Sequence, residues 1–208
     1  MAGHLERRRR RGLLNQCPHN LDLLCWFCGM PEKITAFCKE GHYHDIEVED
    51  DATLYMEWTN GASGTFITST GDAPGVNRLE IFLEEALIKA ENRKLEIFEL
   101  EPELGMKECE YRKTADDCFR KIHGVRKEIT LALDDNPYFT VFRSFANAFE
   151  GKGNLIAQGA EGRNSLMLSN AAYLSSWKYC TVTIPKQNTP EEEQFEKEFE
   201  TMLRQKQG

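Results

Sequence analysis

The chain has no apolar run approaching the ~20 residues that a membrane-spanning helix needs. It also has no charged start followed by an apolar leader, which predicts a cytoplasmic, reducing setting. The chain has fewer basic than acidic residues: 26 Lys and Arg and 34 Asp and Glu give a formal net charge of −8. The protein would therefore repel phosphate, and neither nucleic acid nor an anionic membrane is expected as a partner.

A disulfide framework is not expected either, because seven cysteines are an odd number in a chain without a leader. Cys25 and Cys28 have the spacing of a redox motif or of half a zinc site, but no second pair lies at a zinc-ribbon distance. On a helix both thiols would lie on the apolar face. This pattern predicts structural burial of the pair.

A glycine-rich loop for a dinucleotide is also missing. Gly-x-Gly spacing occurs at 151–153 and glycines recur at 159–162, but neither follows a strand into a helix that could bind phosphate. The sequence therefore predicts no cofactor-binding residues in this chain.

What is present is ordinary globular composition: 208 residues, 40% hydrophobic and 29% charged, enough for one substantial core. The exception is the basic block ERRRRRG at 6–12. Such a block could serve nuclear import or nucleic-acid binding, but no aromatic interleaving or further basic cluster supports that interpretation. We expect residues 1–11 to be a disordered basic start and residues 12–208 to form one domain.

The most informative segment is GLLNQCPHNLDLLCWFCGMP, residues 12–31, which as a helix separates a polar stripe from an apolar face. The stripe, at i, i+4, i+7 and i+11, consists of Asn15, His19, Asp22 and Trp26. The apolar face consists of Leu14, Cys17, Leu21, Leu24, Cys25 and Cys28. Because Pro18 is tolerated only in a first turn, we expect the helix to begin near 14–16 and to end at Gly29. An imidazole that faces a cleft can move protons, although a lone helical histidine is more often structural.

The remaining patterns predict an α+β fold, with a mainly antiparallel open β-sheet of about six strands and helices packed on one face. Asn60-Gly61 predicts a hairpin of strands 53–59 and 62–69. Further strands are expected at 34–37, 78–83, 87–90 and 94–100, and helices at 137–150, 161–178 and 190–203. The stretch 102–135 gives no clear pattern.

A cluster of His and carboxylate residues precedes the hairpin and could bind a divalent metal. It consists of His42, His44, Asp45, Glu47, Glu49, Asp50 and Asp51. A solvated loop that leads into a strand is the favoured interpretation, so no metal ligands are assigned.

Three segments together resemble the C-terminal domain of the Gfo/Idh/MocA oxidoreductases. The helix pattern of that domain is matched by Gly12, Asn15, His19 and Asp22, its strands by residues 44–82 and its closing helices by residues 136–185. Asn15 stands where many family members have an aspartate, so it can orient His19 but cannot accept a proton as a carboxylate would.

This resemblance implies an NAD- or NADP-dependent oxidation of a small sugar or polyol. It implies that His19 transfers the proton, that Asn15 orients it and binds a hydroxyl, and that Asp22 supports substrate binding. The outer face of the sheet is implied to form a homo-oligomer interface. The family's Rossmann domain and its Glu-Lys-Pro segment are not found in this sequence, so we expect a truncated form that is inactive alone.

Two alternatives remain open from the sequence. One is a non-catalytic dimerisation or binding module that keeps the sheet without a nucleotide domain. The other is a metal-linked or thiol-redox protein that uses Cys25 and Cys28 or the cluster at His42.

Overall fold

The computed structural model of the chain describes residues 12–100, 123–132 and 136–207. The expected disordered start at 1–11 and most of the stretch 102–135 lie outside the described residues. The chain divides into two compact units. The first unit comprises residues 1–73 and 153–208, and the second comprises residues 74–152.

The described elements are, in chain order, a π-helical turn (Gly12–Gln16, the π-turn), α1 (Pro18–Cys28), β1 (Lys33–Glu40), β2 (Glu49–Glu57), β3 (Ser63–Ser69), β4 (Arg78–Phe82), β5 (Ala86–Glu91), β6 (Lys94–Leu100), β7 (Gly124–Thr130), α2 (Pro137–Phe149), a 3₁₀ turn (Gly159–Glu161), α3 (Gly162–Lys178), β8 (Val182–Thr183) and α4 (Pro190–Gln207). None of the helices within these ranges combines the length and the apolar character of a bilayer span.

The α+β class is confirmed, and every strand pairing among the described residues is antiparallel. Within the described ranges the strands form two four-stranded sheets, ordered β3-β2-β1-β8 and β4-β5-β6-β7, where the sequence predicted one sheet of about six strands. Residues 70–77, which include Gly71, Pro74 and Gly75, belong to no strand. Proline and glycine disfavour ladder pairing, so this segment ends one sheet before the next begins.

The first sheet packs its inner face against α1 and α3. Buried apolar side chains occur at alternate residues of the strands and at every third or fourth residue of the helices. These spacings place them on one face of each element. They include Leu21, Cys25, Ile34, Ala36, Leu54, Met56, Leu168, Ala171 and Leu174. Leu54 and Met56 therefore point inward, and Thr53, Tyr55 and Glu57 lie on the outer face.

One edge of β1 is covered by a helix as well as by a strand. β8 pairs only with Lys33 and Ile34. Farther along, the Ala36 N–H donates to the Ser175 hydroxyl at 2.9 Å and the Cys38 N–H donates to the Ser176 hydroxyl at 3.0 Å. Two serines of α3 thus continue the hydrogen bonding that β8 begins.

The β2–β3 hairpin is confirmed at the turn that the sequence predicted. Gly61 has φ +85°, a conformation that glycine adopts without strain, and its N–H donates to the carbonyl of Trp58 at 3.0 Å. The Asn60 side chain accepts from the N–H of Ala62 at 3.0 Å. Short-range turn chemistry is therefore sufficient to set this register.

In the second unit, β5 and β6 are joined at Asn92-Arg93, both with positive φ, as a tight hairpin turn requires. α2 begins where it was predicted, with the Asn136 side chain accepting from the N–H of Phe139 at 3.1 Å. The large apolar side chains of α2 are mostly exposed, with Phe142 at 71% and Phe149 at 87%. β7 lies within the stretch 102–135, for which no secondary structure was predicted.

Candidate active-site cleft

The segment that contains the candidate histidine begins differently from the prediction. Residues 12–16 form a π-turn closed by the Cys17 N–H, which donates to the Gly12 carbonyl at 3.0 Å, and the α-helix begins only at Pro18. Pro18 has no N–H to donate to the carbonyl of Leu14, so the α-helical ladder is interrupted there. The expected start near 14–16 is corrected accordingly, whereas the predicted end at Gly29, with φ +74°, is confirmed.

Two of the three predicted site residues lie on one cleft. His19 and Asp22, one turn apart on α1, line an open cleft of about 330 Å³. Its remaining lining residues are Pro18, Ala157, Gln158, Gly159, Glu161, Gly162 and Ser165. Asn15 is exposed on the π-turn and is not among the residues lining this cleft. Its proposed role in orienting His19 stays a prediction.

The second wall of the cleft was missed by sequence reasoning. The sequence predicts a helix from residue 161 and rejects a phosphate loop at 159–162, but it does not place the 3₁₀ turn and the start of α3 beside α1. They lie about 140 residues from α1 in sequence, and no local pattern relates the two segments. Only the packing of α1 against α3 brings them together.

The lining of the cleft is polar and acidic. Asp22 and Glu161 contribute carboxylates, and no Lys or Arg is among the lining residues that the structure describes. The neighbouring guanidinium of Arg163 donates to the Glu192 carboxylate at 2.8 Å instead. An imidazole, carboxylates and the amide of Gln158 can together exchange hydrogen bonds with several hydroxyl groups.

The cysteine pair on α1 has the properties of packed thiols. Cys25 is buried and its thiol donates to the sulfur of Met30 at 3.5 Å, whereas Cys28 is half-buried. Burial raises the pKa of Cys25 to about 12 and also raises the pKa of Cys28. Because the thiolate is the reactive form, these environments disfavour redox chemistry. The predicted burial is confirmed for Cys25 and is incomplete for Cys28.

The His and carboxylate cluster forms a loop organised by one buried side chain. The Asp50 carboxylate accepts from the backbone N–H groups of His42, Tyr43 and His44 at 2.7–2.9 Å. The loop residues 41–45 are exposed, as the favoured interpretation predicted. Among the described residues, no three His, Cys, Asp or Glu side chains are grouped as a metal site would require.

Asp50→Asn is expected to destabilise the protein by about 1–3 kcal/mol at pH 7, because an amide NH₂ cannot accept these hydrogen bonds. Burial alone would raise the pKa of Asp50, but the three backbone donors and the His44 ring lower it below the ordinary 3.8. Its stabilising effect is therefore complete above pH 3.8 and is lost as the pH falls through the lower folded-state value. Urea unfolding from pH 7 to pH 2 measures this, with Asp51→Asn as the matched control. Parallel pH profiles for Asp50→Asn and the wild type would contradict the assignment.

Comparison with known proteins agrees with the fold and with the sequence pattern of this region. Residues 5–89 match the family model described as the GFO/IDH/MocA C-terminal domain. This match confirms the resemblance and includes the segment that bears His19 and Asp22. No curated protein sequence matches the chain.

Solved structures of dehydrogenases share the fold. The WlbA dehydrogenase of Bordetella pertussis, in complex with NADH and UDP-GlcNAcA, has a TM-score of 0.59 at 20% identity, covering 85% of this chain and 46% of that one. UDP-N-acetylglucosamine 3-dehydrogenase GnnA of Acidithiobacillus ferrooxidans has a TM-score of 0.60 at 19% identity, with coverages of 78% and 47%. Levoglucosan dehydrogenase, in complex with NADH and L-sorbose, has a TM-score of 0.60 at 15% identity, with coverages of 83% and 49%.

The chain has an α+β fold that it shares with these dehydrogenase structures. Residues 5–89 of this chain are similar to a GFO/IDH/MocA C-terminal domain, and its fold is that of the matched dehydrogenase structures. It spans about half the length of the solved structures that it matches.

Proposed function

We propose that this chain is the substrate-binding and oligomerisation domain of an NAD- or NADP-dependent sugar or polyol oxidoreductase. The observation that supports this most is the placement of His19 and Asp22 on one polar cleft, within the segment that matches the family. In this proposal the imidazole of His19 accepts the hydroxyl proton as the substrate carbon is oxidised. Asp22 binds a neighbouring hydroxyl and Asn15 orients the ring.

Residues 159–162 do not have the backbone arrangement of a dinucleotide-binding loop. Residues 159–162 enter α3 from a segment without a strand, so the strand–loop–helix arrangement that binds a pyrophosphate is not formed there. Hydride acceptance is cofactor chemistry and would belong to a nucleotide-binding domain outside this chain.

The charge of the cleft favours a neutral substrate within the proposed class. Asp22 and Glu161 would repel a sugar acid, whereas carboxylates accept hydrogen bonds from neutral hydroxyls. A neutral ketose such as L-sorbose, present in the levoglucosan dehydrogenase complex, fits this chemistry better than the uronate of the WlbA complex.

The proposal is tested by joining the chain to the nucleotide-binding domain of a structural neighbour such as levoglucosan dehydrogenase. Reduction of NAD or NADP is then followed with neutral polyols and with matched sugar acids. Polyol-dependent reduction supports the proposal. A correctly folded fusion that binds NADH and oxidises none of these substrates would favour the non-catalytic binding module.

We expect the chain alone to show no appreciable binding of NADH or NADPH, because the described residues provide no cradle for the pyrophosphate. Titration of nicotinamide fluorescence measures this, with the fusion as the positive control. Saturable binding with a micromolar dissociation constant, which corresponds to about 8 kcal/mol, would contradict the proposal that a separate domain binds the cofactor.

We expect a homodimer formed through the outer face of the first sheet. Phe37, Tyr55 and Ile67 lie on this face with exposed fractions of 63%, 43% and 71%, although their neighbours are polar. Ile67→Lys would place a charge on the apolar part of the face and should shift the chain to a monomer in sedimentation. The control is Val76→Lys, an exposed apolar residue outside the strands. A wild-type monomer at tens of micromolar would contradict the prediction.

A further inference from the structure

The peptide groups of Leu13, in the π-turn, are held from two sides by buried polar side chains. The Leu13 N–H donates to Oε1 of Glu49, at the start of β2, at 2.9 Å. The Leu13 carbonyl lies 3.2 Å from the hydroxyl of Ser169 on α3, which it shares as a donor with the Ser165 carbonyl at 2.9 Å. Leu13, Glu49 and Ser169 are each no more than 3% exposed. Both hydrogen-bonding groups at this residue therefore have partners on distant elements of the chain.

Glu49 is itself fixed by Tyr173. The tyrosine hydroxyl donates to the same Oε1 atom at 2.5 Å, and Tyr173 lies one turn after Ser169 on α3. A carboxylate taken out of water is costly unless it is hydrogen-bonded, and an apolar side chain would fill the same space without that cost. The presence of Glu49 here indicates a role other than packing.

The π-turn determines where α1 begins. The Cys17 N–H closes the turn, and the Cys17 carbonyl accepts from the N–H of Leu21 at 2.9 Å in the first turn of α1. The Cys17 thiol also lies 3.1 Å from the hydroxyl of Thr68 on β3. A π-turn is rare and contains one residue more than an α-helical turn, so outside contacts are needed to hold it.

We propose that Glu49 and Tyr173 are positioning residues, which hold the π-turn and thereby set the rotation of α1 that directs His19 and Asp22 toward the cleft. Loss of the extra residue from the turn would rotate the face of α1 by about 100°, the angle between successive helical residues. The effect of this rotation on proton transfer rests on the proposed function of His19. The contacts by which Glu49 and Tyr173 hold the π-turn do not depend on that function.

Three variants separate charge from hydrogen bonding. Glu49→Gln keeps an oxygen that can accept from Leu13 and Tyr173 but removes the charge. Glu49→Ala removes the acceptor, and Tyr173→Phe removes one hydroxyl while leaving the carboxylate. Ser175→Ala is the matched control, because it removes a buried α3 hydroxyl that bonds to β1 and not to the π-turn.

The measurements are amide hydrogen exchange over residues 12–17 and the NMR resonances of the His19 ring. Tyr173→Phe and Glu49→Ala should accelerate exchange of these amides at least about tenfold and shift the ring resonances. Glu49→Gln should restore slow exchange, and Ser175→Ala should accelerate exchange at Ala36 without affecting residues 12–17. If Glu49→Ala fails to fold, Tyr173→Phe decides.

Unchanged exchange at 12–17 in folded Tyr173→Phe would overturn the proposal, as would equal acceleration by Ser175→Ala, which would indicate general loosening. Acceleration by Glu49→Gln equal to that by Glu49→Ala would also overturn it, because charge rather than hydrogen bonding would then be responsible. None of these readouts requires activity. A negative result for Glu49 and Tyr173 as positioning residues is therefore distinguishable from a negative result for His19 as the proton-transfer residue.

Discussion

His19→Ala is expected to lower kcat by about a hundredfold or more in an active enzyme that unites this chain with a nucleotide-binding domain. The loss follows because alanine cannot accept the hydroxyl proton, and no other imidazole lines the described cleft. Steady-state kinetics with saturating cofactor measures the effect. Because His19 is exposed and outside the core, the variant should fold as the wild type does.

The matched control is His42→Ala, which removes another exposed histidine. The His42 ring makes an edge contact with Tyr43 at 4.4 Å between ring centroids and lies in the loop after β1. The His42→Ala variant should leave kcat unchanged. Near-normal turnover in His19→Ala, or a variant that merely unfolds, would return His19 to a structural role.

Leu21→Ala is expected to lower the free energy of unfolding by 2–5 kcal/mol, within the range for truncating a fully buried leucine. Leu21 is 0% exposed and packs on the apolar face of α1. Since proteins of this size are commonly stable by only about 5–15 kcal/mol, this change is a large part of the total. Urea denaturation followed by circular dichroism measures it.

Leu23→Ala is the control on the same helix, because Leu23 is 44% exposed. It makes the same chemical change where little apolar surface is removed from water, so its effect should stay below about 1 kcal/mol. Equal losses in the two variants would mean that α1 does not bury the face that contains Leu21.

The features that sequence predicted well depend on neighbouring residues. The turn at Asn60-Gly61, the cap at Asn136 and the end of α1 at Gly29 each follow from the backbone preferences of one or two residues. The start of α4 likewise depends on local residues, which form part of a capping box. The Glu192 N–H bonds to the Thr189 hydroxyl at 3.3 Å, while the Glu192 side chain accepts from the N–H of Asn188.

The features that sequence missed have causes far away in the chain. The π-turn depends on Glu49, which is 36 residues from Leu13, and the second wall of the cleft comes from residues 157–165. Helical periodicity grouped Asn15 with His19 and Asp22 because it assumed an unbroken α-helix. The division into two sheets was also missed, since strand patterns predict the strands and not their partners.

The serine-covered edge of β1 has a consequence for folding. β1, β2 and β3 are close in sequence and can pair early, whereas Ser175 is 139 residues from Ala36. Until α3 docks, the amide groups of Ala36 and Cys38 remain open to any other strand, which is the usual route to edge-to-edge aggregation. Docking of α3 therefore covers this edge of β1 with two serine hydroxyl groups. Before that step, a newly made chain is most prone to associate with copies of itself.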